Sequence, residues 1–279
     1  ALRASVAGAI VGPDDDGWDA ARQAWNLTAD LQPAAVAFPE GAADVAEVVS
    51  FARERGLRVA AQGTGHGATA LGSLEDVVLL KTERMRGVAV DPGERRARVE
   101  AGVLGGDLGP AAGEHGLTAL GGSSPDVGVV GFAIGGGVGW LSRRHGLTCN
   151  TITAAELVTA DGEQVRADAD QNTDLFWALR GGGGDFGIVT ALELELFPIA
   201  QVYAGSLMWP AEHGTEILPA YLDWLRTIPD EVTTGIRFLY LPPIPEVPEP
   251  LRGVPVIDVP GAFIGSAAEG AALLDPLRS

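Results

Sequence analysis

The sequence contains one cysteine, Cys149, and one lysine, Lys81, among its 19 basic residues. A lone cysteine excludes an intrachain disulfide framework and a zinc site built on cysteines. The four histidines, at positions 66, 115, 145 and 213, lack the spacing of metal ligands, so no metal site is predicted. No apolar run approaches the ~20 residues that a membrane helix requires, and we expect no membrane association.

Positive charge is also scarce, and the formal net charge is -18 at pH 7. Without a basic stripe, the chain lacks the electrostatic footprint of a protein that binds nucleic acid. The N-terminus has neither the basic start nor the long apolar core of a signal peptide. Together with the lone cysteine, this favours a cytoplasmic protein, and secretion with processing before Ala1 stays open as an alternative.

Glycine, in contrast, is abundant. The 39 glycines are roughly twice the usual share, and they group at 63–72, 105–109, 121–139 and 181–187. Glycine grouped in this way is typical of backbone packed close to another group, or of left-handed turns. With 46% apolar residues, the sequence predicts a globular protein of one large domain or two ordinary ones.

The segment Gln62-Gly63-Thr64-Gly65-His66-Gly67 stands between two apolar runs that are predicted to be strands. It has no lysine or arginine, yet its glycines allow the backbone to turn successive N–H groups inward. Such concave amide nests bind phosphate. A tight surface turn with an incidental histidine explains the same pattern, and the loop alone leaves both interpretations open.

A second glycine-rich stretch, residues 121–139, includes three consecutive glycines at 135–137 in a helix-forming context. Glycine within a helix costs about 1 kcal/mol relative to alanine, so an offsetting interaction is expected. A ligand lying flat against bare backbone would provide one. Close packing of backbone on backbone is the alternative.

Several common motifs are absent or stand in the wrong context. Residues 182–187 match G-x-G-x-x-G, but a strand is predicted after them where the dinucleotide fingerprint requires a helix. No glycine loop precedes Lys81, which excludes a Walker A motif. Neither a Gly-x-Ser-x-Gly elbow nor a Ser/His/Asp arrangement is evident.

The periodicity of apolar residues predicts a mixed α+β protein. The clearest helix covers 42–55, and the residues at helical spacing there are Val45, Val48, Val49 and Ala52. Asp161-Gly162 predicts a hairpin between strands 152–159 and 163–166. Further strands are expected at 34–38, 57–61, 76–80, 87–90, 96–101 and 187–197, and further helices at 14–26, 104–115 and 172–180, with one that ends at 143–146.

The pattern changes at Pro198. Beyond it we predict strands at 201–209, 233–241 and 254–258, a helix at 215–227, and a last helix that Ser266 and Glu269 begin as a capping box. We therefore divide the chain into a first domain of residues 1–200 and a second part, residues 201–279.

Three segments taken together resemble the FAD-linked oxidases of the vanillyl-alcohol oxidase type, and most closely the berberine-bridge-enzyme-like branch. They are residues 121–139, residues 143–150 (RRHGLTCN) and residues 174–190 (DLFWALRGGGGDFGIVT). The resemblance runs over residues 8–200. It implies an α+β fold in which a two-subdomain PCMH-type FAD-binding domain precedes the start of an antiparallel-sheet-plus-helix substrate domain.

The resemblance also implies which residues contact FAD. The diphosphate would lie on the loop that contains Gln62, Gly63, Thr64, Gly65, His66 and Gly67, and His66 stands where the family bonds the flavin 8α-methyl to histidine. The flavin and the ADP part would be lined, mostly by backbone atoms, by Ser124, Val127, Gly128, Gly131, Phe132, Asn150, Ile152, Gly187 and Val189.

The sequence departs from the family pattern at three places. The family usually has arginine and two glycines before the histidine, where this chain has Gln62, Gly63, Thr64 and Gly65. Members with two covalent flavin links have a cysteine at the place of Ser124, so a single link is expected here. Family chains continue well beyond the position of Ser279, in a part that often brings the catalytic base, so we expect a C-terminally incomplete chain and assign no base.

The function that the resemblance implies is that of an FAD-dependent oxidoreductase, most simply an oxidase. Hydride would pass to flavin N5 from a C–H next to an alcohol or amine of a small molecule, sugar or natural product, with dioxygen as acceptor. One alternative is a flavin dehydrogenase or reductase with non-covalent FAD, in which His66 only lines the cavity. Another is a non-catalytic FAD-binding fragment.

Overall fold

The computed structural model describes residues 2–278, which divide into two compact units. The first unit comprises the chain up to residue 139 together with residues 147–198, and the second comprises residues 140–146 together with the chain from 199 onward. The division into residues 1–200 and 201–279 stays a prediction about domains. Residues 140–146, which that division assigns to the first part, group with the second unit.

The first unit contains a four-stranded sheet with the strand order β1-β2-β4-β3. The strands are β1 (Ala9–Val11), β2 (Ala35–Phe38), β3 (Arg58–Gln62) and β4 (Val77–Lys81). Strands β2, β4 and β3 are parallel, and β1 is antiparallel to β2. The carboxyl ends of the parallel strands therefore share one edge of the sheet, where ligands bind in many open α/β sheets.

Helices α1 (Trp18–Arg22) and α2 (Ala42–Glu54) belong to the same unit. Helix α2 buries the four residues whose spacing predicts it, which are Val45, Val48, Val49 and Ala52. Helix α1 is shorter than the predicted helix over 14–26, because it ends at Arg22. Trp25 therefore lies outside any helix, and 57% of its surface is exposed.

A second, five-stranded sheet follows, antiparallel throughout, with the order β5-β6-β9-β7-β8. Its strands are β5 (Val88–Asp91), β6 (Arg96–Glu100), β7 (Ile152–Val158), β8 (Gln164–Asp168) and β9 (Ile188–Glu195). Strands β7 and β8 form the predicted hairpin, and Gly162 has a φ of 88° in its turn.

Four helices occur between β6 and β9: α3 (Gly105–Gly113), α4 (Val129–Ile134), α5 (Ser142–His145) and α6 (Thr173–Leu179). Side chains of α3, α4 and α6 join the strand residues of the second sheet in one core, around Val99, Leu157 and Leu192. The helix predicted to end at 143–146 is confirmed as α5, which ends at His145. Helix α4, inside the glycine-rich stretch, ends before Gly136 and Gly137, because these residues adopt positive φ angles of 112° and 76° that a helix excludes.

The second unit includes α5 and a third sheet, in which β10 (Tyr203–Pro210), β11 (Val232–Thr234) and β12 (Arg237–Tyr240) all pair antiparallel with β13 (Pro255–Phe263). Its remaining helices are α7 (Gly214–Leu225), α8 (Ala267–Leu273) and α9 (Asp275–Arg278). The predicted capping box is present: the Ser266 N–H donates to Glu269 Oε2 at 3.0 Å, and the Glu269 N–H donates to Ser266 Oγ at 3.3 Å.

Within residues 2–278, none of the helices combines the length and the apolar character that crossing a membrane requires.

Candidate functional site

The loop of residues 63–67 leaves the carboxyl end of β3 and leads into a short 3-10 helix, Ala68–Leu71. Its first residues are held by the sheet, because Gln62 pairs with Lys81 of β4 and the Gln62 carbonyl accepts the Thr82 N–H at 3.0 Å. The loop therefore starts at the edge where the parallel strands end.

The backbone N–H groups of residues 63–67 have no acceptor in the described chain, residues 2–278. Three carbonyl groups of the same loop are paired: those of Thr64 and Gly65 accept the N–H groups of Trp25 and Asn26 at 3.0 and 3.4 Å, and that of Gly67 accepts the N–H of Ala70 at 3.1 Å. A run of five donors without acceptors is the arrangement of an anion-binding nest. This favours the phosphate nest over the incidental turn.

Gly65 permits this backbone course. Its φ is 86°, in the left-handed region, and a Cβ at this position would lie 2.8 Å from the Cβ of Ala24 and 3.0 Å from Gln62 Cδ. Any side chain would therefore displace a neighbour as well as strain the backbone. Only glycine lets the loop pack so closely against the residues below it.

In the part of the chain that the structure describes, three buried side-chain atoms lack a hydrogen-bond partner: Gln62 Oε1, Gln62 Nε2 and His66 Nε2. Gln62 is only 4% exposed. An unpaired buried polar group costs about 1–3 kcal/mol. All three unpaired atoms lie at this one loop, which indicates that a ligand supplies the missing partners.

A cavity of about 340 Å³ opens beside the loop. Of the predicted site residues, those that line it are Gln62, Gly63, Thr64, Gly65, His66, Gly67, Val127, Gly128, Gly131 and Phe132. The structure thus brings together the loop after β3 and the start of α4, two segments that are far apart in the sequence.

A second cavity, of about 460 Å³, shares Gly63, Thr64 and Gly128 with the first. Its other lining residues include two basic ones, Lys81 and Arg86, and two acidic ones, Glu83 and Asp126. The ammonium group of Lys81 donates to the carbonyl of Gln23 at 3.1 Å. The loop therefore lies where two cavities meet, one lined mostly by glycine and apolar residues and one with charged residues of both signs.

The imidazole of His66 is contacted from three directions. Its Nδ1 lies 2.7 Å from Thr64 Oγ1, and its ring stacks on the indole of Trp25 with centroids 4.0 Å apart and planes inclined by 17°. Its Nε2 lies 3.9 Å from Asp126 Oδ2. The ring is therefore held in one orientation at the rim of the loop.

The carboxylate of Asp126 accepts hydrogen bonds from two other residues near His66, Trp25 and Ser124. Its Oδ2 accepts the indole N–H of Trp25 at 2.8 Å, and its Oδ1 accepts the hydroxyl of Ser124 at 2.7 Å. The Ser124 hydroxyl, then the Trp25 indole, hold the pKa of the Asp126 carboxyl below its usual value. The carboxylate is therefore ionised at neutral pH.

Five predicted residues lie outside both cavities. Ser124 contacts Asp126, as described, and Asn150 is exposed, with its carbonyl 3.4 Å from Arg180. The others belong to the second sheet or its edge: Ile152 and Val189 are buried in its core, and Gly187 has a φ of 151°. The cofactor contacts of these residues stay predictions.

The glycines at 121–139 lie in two kinds of surroundings. At Gly139 a Cβ would come within 1.9 Å of the Gly121 carbonyl oxygen, so backbone packs directly on backbone there. Gly131, in contrast, lines the first cavity, and a Cβ there would meet nothing within 4 Å.

Sequence reasoning missed Trp25 and Asp126 as members of the site. The helix predicted over 14–26 includes Trp25, whose contact with His66 depends on the chain leaving α1 early. Asp126 carries a weak signal, a carboxylate within a glycine-rich loop, and neighbouring residues alone do not place it near His66.

Comparisons with known proteins show what kind of domain the chain carries. Residues 33–168 match the family described as FAD binding domain. The (R)-6-hydroxynicotine oxidase of Paenarthrobacter nicotinovorans is 34% identical over 235 residues, which are 83% of this chain and 51% of that protein. The glucooligosaccharide oxidase of Sarocladium strictum is 35% identical over 231 residues, or 80% of this chain and 46% of that protein.

The chain spans about half the length of these curated relatives. The solved structure of BBE-like 1 from Physcomitrella patens matches with a TM-score of 0.86 at 27% identity, over 99% of this chain and 58% of that one. The predicted fold class and family resemblance are confirmed. The chain therefore carries an FAD binding domain over residues 33–168 and is similar along most of its length to FAD-linked oxidases, with a BBE-like protein among the similar solved structures.

Proposed function

We propose that the chain is an FAD-dependent oxidoreductase that holds the cofactor diphosphate on the loop of residues 63–67. The observation that carries the proposal is the run of free backbone N–H groups, with the unpaired side-chain atoms of Gln62 and His66 beside it. A diphosphate offers negative charge and acceptor oxygens, which match free N–H donors. The residues present thus fit the group.

The two cavities support this placement. FAD joins two ring systems through its diphosphate, and the cavities of about 340 and 460 Å³ meet at Gly63, Thr64 and Gly128. A cofactor whose middle lies on the loop would extend into both. The predicted contacts at Val127, Gly131 and Phe132 belong to the first cavity. Those at Ser124, Asn150, Ile152, Gly187 and Val189 rest on the family resemblance.

We further propose one covalent link, between His66 and the flavin 8α carbon. Forming this link would replace one C–H bond of the 8α methyl group and the N–H bond of the imidazole by a single C–N bond. The two protons and two electrons released would reduce one dioxygen to hydrogen peroxide. The support is the position of His66 in the loop and its unpaired, buried Nε2. Ser124 carries a hydroxyl rather than a thiol, so it forms no second, thioether link.

When bound, FAD supplies a hydride acceptor at flavin N5 and a route for electrons to dioxygen. The proposed substrate is a small molecule, sugar or natural product with a C–H next to an alcohol or amine. The names of the two relatives, a hydroxynicotine oxidase and a glucooligosaccharide oxidase, support this class and favour an oxidase. In this reading residues 1–200 bind FAD and residues 201–279 begin the substrate domain.

Flavin content tests the proposal. The purified chain is expected to be yellow, to contain close to one FAD per chain, and to keep the flavin in the pellet after acid precipitation. Hydrogen peroxide release under air, with panels of sugars and cyclic amines, then tests the oxidase. A folded, colourless chain that takes up no added FAD overturns the proposal.

Two further outcomes separate the alternatives. Flavin that is bound but released by acid contradicts the link at His66 and leaves a non-covalent flavoprotein. A substrate that bleaches the flavin without peroxide release contradicts the oxidase and identifies a dehydrogenase.

A further inference from the structure

Three residues surround the imidazole of His66, namely Trp25, Thr64 and Asp126, and together with Ser124, which contacts Asp126, they form what we call the His66 clamp. Trp25 covers one face of the ring, with centroids 4.0 Å apart. Thr64 Oγ1 lies 2.7 Å from Nδ1, and Asp126 Oδ2 lies 3.9 Å from Nε2. The clamp therefore covers one face of the ring and contacts its Nδ1 edge, while Nε2 stays unpaired beside the Asp126 carboxylate.

The carboxylate of Asp126 links the parts of the clamp to one another. One oxygen accepts the Trp25 indole N–H at 2.8 Å, and the other accepts the Ser124 hydroxyl at 2.7 Å. Trp25 is 57% exposed, so little packing other than this bond and the stack restrains its side chain. Without the carboxylate, the indole would lose the bond that fixes its angle over His66.

The main chain near Trp25 is anchored separately. The Trp25 N–H donates to the Thr64 carbonyl at 3.0 Å, and the Asn26 N–H donates to the Gly65 carbonyl at 3.4 Å. A change confined to the Trp25 side chain therefore leaves its segment docked on the loop. The orientation of the imidazole can thus be altered without removing the loop's support.

Orientation matters because a ring nitrogen can bond to carbon only along the direction of its lone pair. The χ2 torsion of histidine is broad, with no sharp preferred angle of its own. Groups held in the reacting geometry react much faster than groups that sample many orientations. A clamp that fixes the imidazole plane would therefore act on the rate of C–N bond formation.

We propose that Asp126 and Trp25 are positioning residues for flavin attachment at His66, with the carboxylate fixing the indole and the indole fixing the imidazole plane. This inference rests on the proposed function, since it requires FAD on the loop. The carboxylate also lies close enough to Nε2 to stabilise positive charge on the ring while the new bond forms. The balance of atoms and electrons is that given above for the link at His66.

The test uses the full chain and the variants Trp25→Phe, Trp25→Leu and Asp126→Asn, with Trp177→Phe as the matched control. Trp177 is a tryptophan that is 79% exposed on α6. Each protein is produced with little flavin, given excess FAD, and sampled over time. Total bound flavin, the acid-stable fraction and the melting temperature are measured in parallel.

We expect the bound flavin of Trp25→Phe and Asp126→Asn to become acid-stable at least tenfold more slowly than that of the wild type, counted per bound FAD at saturating cofactor. Trp25→Leu, which also removes the stack, should be slower than Trp25→Phe. Trp177→Phe should match the wild type. A role in stability alone would lower the melting temperature and total FAD together, with no change in the acid-stable fraction of bound flavin.

A loss of melting temperature and total FAD with no change in the acid-stable fraction would overturn the proposal. So would a wild-type chain whose bound FAD is all released by acid. The failure of the proposed function looks different, because the wild type would then take up no FAD at all.

Discussion

The carboxamide of Gln62 lies against Gly65, so closely that a Cβ on that glycine would come within 3.0 Å of Gln62 Cδ. Neither polar atom of this carboxamide has a partner, and the residue is 4% exposed. A carboxamide both donates and accepts. A ligand that satisfies it must therefore offer a donor, such as a hydroxyl or an N–H, as well as an acceptor oxygen.

Replacing Gln62 by the similarly shaped methionine should change stability and FAD affinity in opposite directions. The unfolding free energy of the flavin-free protein should stay equal or rise, by up to about 2 kcal/mol, because two unpaired buried atoms are removed. FAD binding should weaken about tenfold or more, since about 1.4 kcal/mol corresponds to a factor of ten.

Denaturant unfolding and FAD titration measure the two effects for Gln62→Met, both in a His66→Ala background so that binding is reversible. Gln62→Glu serves as the control of similar size that keeps acceptors but loses the donor. A methionine variant that binds FAD as well as the parent would show that the carboxamide contacts no part of the cofactor.

The substitution Gly65→Ala should lower the unfolding free energy by about 1–3 kcal/mol. A left-handed alanine costs roughly 1–2 kcal/mol, and its Cβ would lie 2.8 Å from that of Ala24. Gly63→Ala is the matched control, because a Cβ there meets no atom closer than 3.9 Å. Thermal and denaturant unfolding of both variants without flavin give the comparison, and equal losses in the two would contradict the argument.

The variant His66→Ala should bind FAD but keep none of it after acid precipitation, because no other predicted residue can form the link. His115→Ala is the control: it removes an exposed histidine near the end of α3 and should retain the acid-stable flavin of the parent. Fluorescence of the flavin in denaturing gels and the intact mass report the result. Acid-stable flavin in His66→Ala would place the link elsewhere.

Asp44 should make the protein sensitive to acid. Burial works to raise the pKa of this carboxyl, but the backbone N–H groups of Glu40, Ala7 and Gly8, at 2.9–3.0 Å, outweigh it and hold the pKa below its ordinary value. Since the pKa is lower in the folded state, the stabilisation is complete above the unfolded value of ~3.9. It is lost as the pH falls through the folded value.

We therefore expect Asp44→Asn to lower the unfolding free energy by about 1–3 kcal/mol at pH 7, and this deficit should shrink near pH 3. Unfolding by denaturant at both pH values measures it. The exposed Asp16→Asn provides the comparison. A deficit of the same size at both pH values would show that the carboxylate charge is not what stabilises the fold.

Elements with local signals were predictable from the sequence. Helix α2 follows from the spacing of its buried valines, the β7–β8 hairpin from Asp161-Gly162, and the start of α8 from Ser266 and Glu269. In each case the residues that form the signal contact each other or the same surface. The loop of residues 62–67 was likewise recognisable from its glycines and its position after a strand.

Features that depend on distant contacts were not predictable. Trp25 leaves the helical pattern because its backbone bonds to Thr64 instead of continuing α1. Strand β13 runs past Asp258 through Pro260, which usually ends a strand, because its pairing with β10 continues there. The link between Asp126 and Trp25 joins residues about a hundred positions apart, and no pattern in either segment indicates the other.

Strands β3 and β4 pair along their whole length, so the sheet fixes both ends of the segment 63–76 that connects them. Ordering a residue costs about 1–2 kcal/mol of conformational entropy, and here folding of the sheet covers much of that cost for the residues nearest the strands. Cofactor binding need not order these residues. For the proposed FAD site, this means that the loop takes its shape when the sheet folds, and incorporation of the cofactor can follow folding instead of guiding it.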